Sequence, residues 1–311
     1  DVWQTFWEGY DPNGPDDQPF LKPMPENERP GWRRMVHSMW ALDQQGVGHV
    51  ARTVARCRLR GMAPWVSLRM NDVHFNDNLE HPFHPPFFRD PKRWRNTGGY
   101  FARGLDWGQA DVRELYRKLV VETLERYDID GLELDFMREP YLFREGEAQA
   151  GGAILTAWLR EVRGLVQEAA AKRGHPIALG VRVPSRVEVA QEWGLEAVAW
   201  AKEGLVDLVV ATPRWATLEY DMPLAQWREL LAPTGVTLAG GLEIRCQPMT
   251  SGPAHTLTPA EATGAATAVL AGGADAVYLF NYFPGIIGGG PWSRESYRQT
   301  LGAMNSLETL L

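Results

Sequence analysis

Two cysteines are all that 311 residues contain, Cys57 in a helical pattern and Cys246 far along the chain at a strand end. A disulfide framework is therefore not indicated. No apolar run approaches the ~20 residues that cross a bilayer, so the chain reads as soluble, with no membrane as partner. A basic excess is also missing: the formal net charge of -7 argues against nucleic acid as a partner. No Gly-x-Gly-x-x-Gly follows a strand and no Gly-Lys-Ser/Thr is present, which removes the main signs of dinucleotide and phosphate binding. No lysine stands at a strand end. No signal peptide opens the chain, yet it starts at Asp1 rather than Met, as a trimmed or mature form would. A secreted or periplasmic place follows if a leader was removed, a cytoplasmic one otherwise.

What is abundant is apolar and aromatic. Hydrophobic residues make up 44% of the chain, enough for a large core, and tryptophan occurs 13 times. Tryptophan fills large cores and stacks on sugar faces, so this count leans towards carbohydrate. The length is too great for most single sandwiches but ordinary for one α/β barrel with insertions, and no boundary interrupts residues 1–311.

From about residue 41 the pattern alternates. A helix over roughly 41–61 ends at Gly61, and the strand Pro64–Arg69 follows. Residues 111–127 place Val112, Leu115, Tyr116, Leu119, Val120 and Leu124 on one helical face, with Asp111 at the favoured amino end. After the stretch Tyr127–Arg138 comes a helix over roughly 153–173, stopped by Gly174. Strands at 177–182, 206–211, 236–243 and 276–280 then alternate with helices at about 188–204, 223–231, 259–271 and 294–308. With Val2–Trp7 as a strand the count is seven. Short-linked alternation of this kind forces a parallel sheet with helices outside. The expected fold is α/β, a (β/α)8 TIM barrel whose first β/α unit is missing or irregular.

Within Tyr127–Arg138, Leu132, Leu134 and Phe136 share one face of a strand, and Glu133, Asp135 and Met137 share the other. Acids inside so apolar a run are costly unless used. Barrels of this type carry their chemistry at the carboxyl ends of the strands. There the sequence supplies Glu8 and Tyr10 after the first strand, and Arg69, Asn71, Asp72 and His74 after the next. It then supplies Asp135 with Arg138, Arg182, Arg214 with Trp215, Glu243 with Arg245, and Asn281 with Tyr282.

Glycoside hydrolysis needs two carboxylates on opposite walls, one to protonate the leaving oxygen and one to attack or to activate water. Asp135 and Glu243, on the fourth and seventh barrel strands, are the expected catalytic pair. The other residues just named are expected to bind substrate. The arginines at five strand ends suit an acidic glycan, a uronate or a sulfated sugar, because guanidinium groups bind such anions bidentately. Balancing the site's own acids is the competing use for them.

Residues 73–107 are far longer than the usual βα loop. They hold His74, Phe75, His81, Phe83, His84, Phe87, Phe88, Trp94, Tyr100 and Phe101, suited to walling a cleft and stacking on pyranose rings. His74, His81 and His84 would suggest a metal, but Pro82, Pro85 and Pro86 deny them helical spacing and no cysteine completes a set. No metal or other cofactor is expected. Gly285, Gly288, Gly289 and Gly290 read as a flexible loop closing the cleft.

The run Leu105–Arg113, then Glu122, then Tyr127–Asp135, resembles the glycosyl-hydrolase-like family 10 group. Those proteins are (β/α)8 barrels related to the deacetylase-linked hexosaminidases of biofilm export. The resemblance implies a catalytic role for Asp135 and makes residues 1–7 the second barrel strand. The family motif often has a second acid directly after this aspartate, where Phe136 stands here. The same stretch is similar to the Asp-Gly-x-Asp-x-Asp-x-Glu run of family 18 chitinases, but Met137 occupies the place of their acid. Substrate-assisted chitin chemistry is thereby disfavoured. The sequence thus predicts a glycoside hydrolase. A non-catalytic carbohydrate-binding barrel remains open, as does a lyase or aldolase-type barrel, which would need a lysine or metal set at a strand end.

Overall fold

A computed structural model describes residues 7, 9–96, 98–214, 216–247, 249, 252–282 and 292–311. Its main sheet holds β1 (Trp65–Arg69), β2 (Gly131–Asp135), β3 (Ala178–Pro184), β4 (Leu208–Thr212), β5 (Thr237–Glu243) and β8 (Ala276–Phe280), all parallel, in the order β1-β2-β3-β4-β5-β8. Two-residue strands β6 (Arg245–Cys246) and β7 (His255–Thr256) form a small antiparallel ribbon after β5. The helices are α1 (Arg29–Gln44), α2 (His49–Leu59), α3 (Ala110–Arg126), α4 (Ala148–Arg173), α5 (Val187–Glu192), α6 (Ala197–Lys202), α7 (Leu224–Leu231), α8 (Pro259–Ala271), α9 (Arg294–Ala303) and α10 (Leu307–Leu310).

The sheet curls. The Tyr278 hydroxyl on β8 donates to Glu133 Oε2 on β2 at 3.0 Å, although four strand spacings separate them in the sheet order. Laid flat at about 4.8 Å per strand, that gap would be roughly 19 Å. The architecture is a partial (β/α) barrel of six consecutive strands, as the alternation predicts. The seventh strand expected from Val2 onwards lies almost wholly outside the described residues.

β2 shows why the sequence folds this way. Leu132, Leu134 and Phe136 are completely buried in the main apolar cluster, which includes Val120, Leu159 and Trp200 on the surrounding helices. Glu133 and Asp135 alternate with them and point into the lumen, where Tyr278 and Arg182 meet them. Gly131 and Gly180 are required on that inner face: a Cβ on Gly131 would stand 2.1 Å from the Trp65 indole, and one on Gly180 3.0 Å from it. Trp65 therefore floors the lumen.

Two long helices expected from the periodicity are each broken in two. The first stops at α1, because Gly46 takes a left-handed φ of +67° and Val47 N–H returns to the Leu42 carbonyl at 2.8 Å. The second splits into α5 and α6 at Gly194, whose φ of +77° closes the backbone onto the Ala148 carbonyl at the start of α4. Gly174 ends α4 at a φ of +77°. A second, smaller apolar cluster gathers Tyr10, Phe20, Leu21, Met24 and Val36, with Trp7, Trp32 and Trp40 against it.

The insertion at 73–107 contains one 3-10 turn and one isolated bridge, Trp94 to Leu105. Polar anchors hold it to the barrel. Asn71 donates to the Leu105 and Tyr141 carbonyls and accepts from Leu105 N–H, and Trp107 Nε1 donates to the Met70 carbonyl. No helix among the described residues is long and apolar enough to cross a membrane.

Candidate active site

The lumen collects charge. Asp135, at the carboxyl end of β2, is 2% exposed, and both its oxygens lie 2.9 Å from Nη1 of Arg182, its register neighbour on β3. Backbone N–H groups of Met137 and Arg138 donate to Oδ1 at 2.8 and 3.2 Å. Arg182 is equally buried and lies over the Phe280 ring, 3.8 Å from its centroid. One residue pair deeper, Glu133 bonds to Tyr278 and to the Ser67 hydroxyl, while its Oε1 has no partner among the described residues. Burial, together with the nearby Asp135, pushes Glu133 up to about 7.

Glu243 ends β5 on the same inner face and is 2% exposed. Burial raises its carboxyl, against the pull of backbone N–H groups and of Arg182. Ile244 N–H donates to Oε1 at 3.0 Å, and Oε2 is left without a partner among the described residues. Arg182 thus stands between three buried carboxyls, Glu133, Asp135 and Glu243, and is hydrogen-bonded to Asp135. One cation cannot compensate three anions in a medium this poor in water, so the protonated forms of the other two gain.

A second layer lies at the mouth. His74 Nδ1 pairs with Asp72, whose other oxygen accepts from Arg69 at 3.2 Å, and His74 Nε2 accepts from Arg138 at 2.7 Å. Burial opposes ionisation of Asp72, yet the bonds from His74 outweigh it and hold the carboxyl at about 2. Beside this chain Glu139 is 1% exposed, raised by burial, and accepts from Arg214 at 3.3 Å. Arg214 in turn lies over the Phe101 ring of the insertion at 4.7 Å.

Of the residues expected to bind substrate, the structure brings Arg69, Asp72, His74, Arg138 and Arg214 to this mouth and Arg182 into the lumen. Asn71 is buried with its amide engaged by loop backbone, so it ties loops together. Tyr10 belongs to the second apolar cluster, its hydroxyl 3.1 Å from His37 Nδ1. Arg245 is exposed on β6. Asn281 takes a left-handed φ of +61° directly after β8, and Tyr282 follows with its hydroxyl 3.5 Å from the Glu243 carbonyl. Glu8, Trp215 and the glycines at 285, 288, 289 and 290 lie outside the described residues. His81 stacks on Phe75 at 3.9 Å and His84 on Phe88 at 4.4 Å, packing roles that separate them from His74.

Sequence reasoning passed over three residues. Glu133 was visible as an acid on the inner face of β2. Tyr278 could be placed by the same two-residue alternation from Phe280. Glu139 was signalled only by following Arg138 in the loop after β2.

No family model matches the chain, and no curated protein does. The family 10 resemblance is therefore carried by the quoted motifs alone. Solved structures with some likeness include a family GH18 chitinase from Chromobacterium violaceum, 16% identical with a TM-score of 0.39 over 64% of this chain and 35% of that one. A cycloalternan-degrading enzyme from Trueperella pyogenes is 15% identical, with a TM-score of 0.45 over 84% of this chain and 36% of its own. A family 18 N-acetylglucosaminidase from Paenibacillus barengoltzii is 12% identical, with a TM-score of 0.38 over 57% of this chain and 73% of that one. The chain spans about a third of the length of the first two.

Proposed function

We propose that the chain is a glycoside hydrolase, with Glu243 as proton donor and Asp135 as its carboxylate partner. The observation that carries this reading is the opposed setting of two acids around Arg182. Asp135 is ion-paired through both oxygens, whereas Glu243 is raised by burial and has one oxygen without a hydrogen-bond partner among the described residues. A carboxyl raised by burial beside one held in an ion pair is the setting that a general acid and its partner need. Glu243 would pass its proton to the glycosidic oxygen as the bond to the anomeric carbon breaks. Asp135 would face the positive charge that develops on the sugar, either directly or through an activated water. The substrate we propose is an acidic glycan, because among the described residues Arg138 bonds to no carboxylate, only to the His74 imidazole, and Arg214 to a single carboxyl, the raised Glu139.

One observation favours a second reading, a carbohydrate-binding barrel without catalysis. Asp135 is fully engaged by Arg182 and two backbone N–H groups, as an anchor would be. Glu243→Gln and Asp135→Asn, assayed on a glycan panel after their folding is checked by circular dichroism, separate the two. Hydrolysis should fall by about 10²–10⁴-fold in folded Glu243→Gln, the range of a lost general acid. Full activity in both variants, or none in the parent chain, would reject the hydrolase.

A further inference from the structure

We propose that Arg138 and Arg214, with Glu139 beneath them and Tyr100 beside them, form a subsite for the carboxylate of a uronic acid unit. This deepens the hydrolase reading and rests on it for the identity of the glycan. The loop after β2 supplies Arg138 and Glu139, the loop after β4 supplies Arg214, and the insertion supplies Tyr100. Nε atoms of both arginines and Oε1 of Glu139 are buried without a hydrogen-bond partner among the described residues. The mouth's charges do not balance. Asp72 is matched by Arg69, Arg138 has no carboxylate in hydrogen-bond reach among the described residues, and Arg214 contacts a carboxyl that burial raises.

Three guanidinium groups, Arg69, Arg138 and Arg214, face two carboxyls, Asp72 and Glu139, and the surplus positive charge calls for an anion. Burial favours the protonated form of Glu139, and that form would add a hydrogen-bond donor between them, which suits a carboxylate. Tyr100 is 56% exposed and stands nearly perpendicular to the Phe101 ring, so it offers aromatic surface to a pyranose. Asp72, Arg138, Arg214 and Tyr100 are the titratable and charged groups that face Glu139, with His74 behind Arg138. As pH rises and Glu139 ionises, it cancels a guanidinium and loses its donor, so the subsite should weaken.

The test is calorimetric binding of an oligogalacturonate and of its carboxyl-reduced counterpart. The acidic chain should bind about ten-fold or more tightly, the worth of one charge-assisted pair. Arg138→Gln and Arg214→Gln should each remove most of that preference, while Arg160→Gln, on the far side of α4, should keep it. Glu139→Gln should retain the preference and flatten its decline with pH. Equal binding of the two chains, binding of neither, or a preference untouched in folded arginine variants overturns the subsite. Acidic chains that bind but are never cleaved would sink the hydrolase and leave the subsite standing. Cleavage without preference would do the reverse.

Discussion

Tyr278 on the last strand reaches across the barrel to hydrogen-bond Glu133 on the second, at 3.0 Å. This contact spans the curl of the sheet, and it pulls against the burial and the nearby Asp135 that push Glu133 up to about 7. The folded chain therefore holds the Glu133 proton more tightly than the unfolded chain, whose value is near 4.5. Below pH 4.5 the residue is protonated in both states and makes no difference. Between 4.5 and about 7 the unfolded state gains by ionising first, and stability falls as pH rises. Glu133→Gln should remove that fall, a gain of roughly 3 kcal/mol at neutral pH. Urea midpoints across pH 4–8 measure it, and identical slopes in parent and variant would refute it.

Arg182 and Asp135 are each about 98–99% covered, so neither tolerates loss of the other. Arg182→Met leaves a buried carboxylate with only backbone donors and should cost about 3–5 kcal/mol. Combining it with Asp135→Asn should recover part of that loss, because no uncompensated charge remains. Chemical denaturation of the two single variants and the double variant gives the coupling directly. Additive losses would show that the pair is not the unit described above.

Much of this was legible in the sequence because periodicity reports burial. The six sheet strands fall within two residues of where apolar runs place them, and β2 reads correctly face by face. Helix breaks at Gly46 and Gly194 were not legible: each lies inside a continuing apolar pattern, where a glycine reads as a tolerated helix residue until its left-handed φ is seen. Polar partners were the least readable. Arg69, Arg138, Arg182 and Arg214 look alike as strand-end arginines, yet one neutralises Asp135 in the lumen and another serves Asp72. Side-chain partners across the barrel depend on its curvature, which no local pattern encodes.

His74 sets the ionisation of Asp72. Asp72 is held at about 2, against a usual 3.8, chiefly by hydrogen bonds from His74 that override burial. A depressed carboxyl contributes stability above pH 3.8 that is lost as pH falls through 2. The side chain is more than a third exposed, so salt screens the effect and its share of stability is small. The titration itself is the sensitive readout. In His74→Ala the Asp72 midpoint, followed by carboxyl carbon shifts in NMR, should move up towards 3.8. A midpoint that stays near 2 would assign the depression to Arg69 instead.

Gly131 lies under the Trp65 indole, and the added methyl of Gly131→Ala would stand 2.1 Å from Cε2 of that ring. The same ring lies 3.0 Å from where a Cβ on Gly180 would be, so it covers both glycines. The substitution should destabilise the chain by about 1–3 kcal/mol, the usual cost of overpacking. Because β2 is the strand that is forced outward, Glu133 and Asp135 would shift with it and activity should fall alongside stability. Trp65→Val removes the obstructing ring, so Gly131→Ala should cost much less in that background than alone. Urea denaturation of the four chains tests this. An equal cost in both backgrounds would mean that the indole does not floor the lumen.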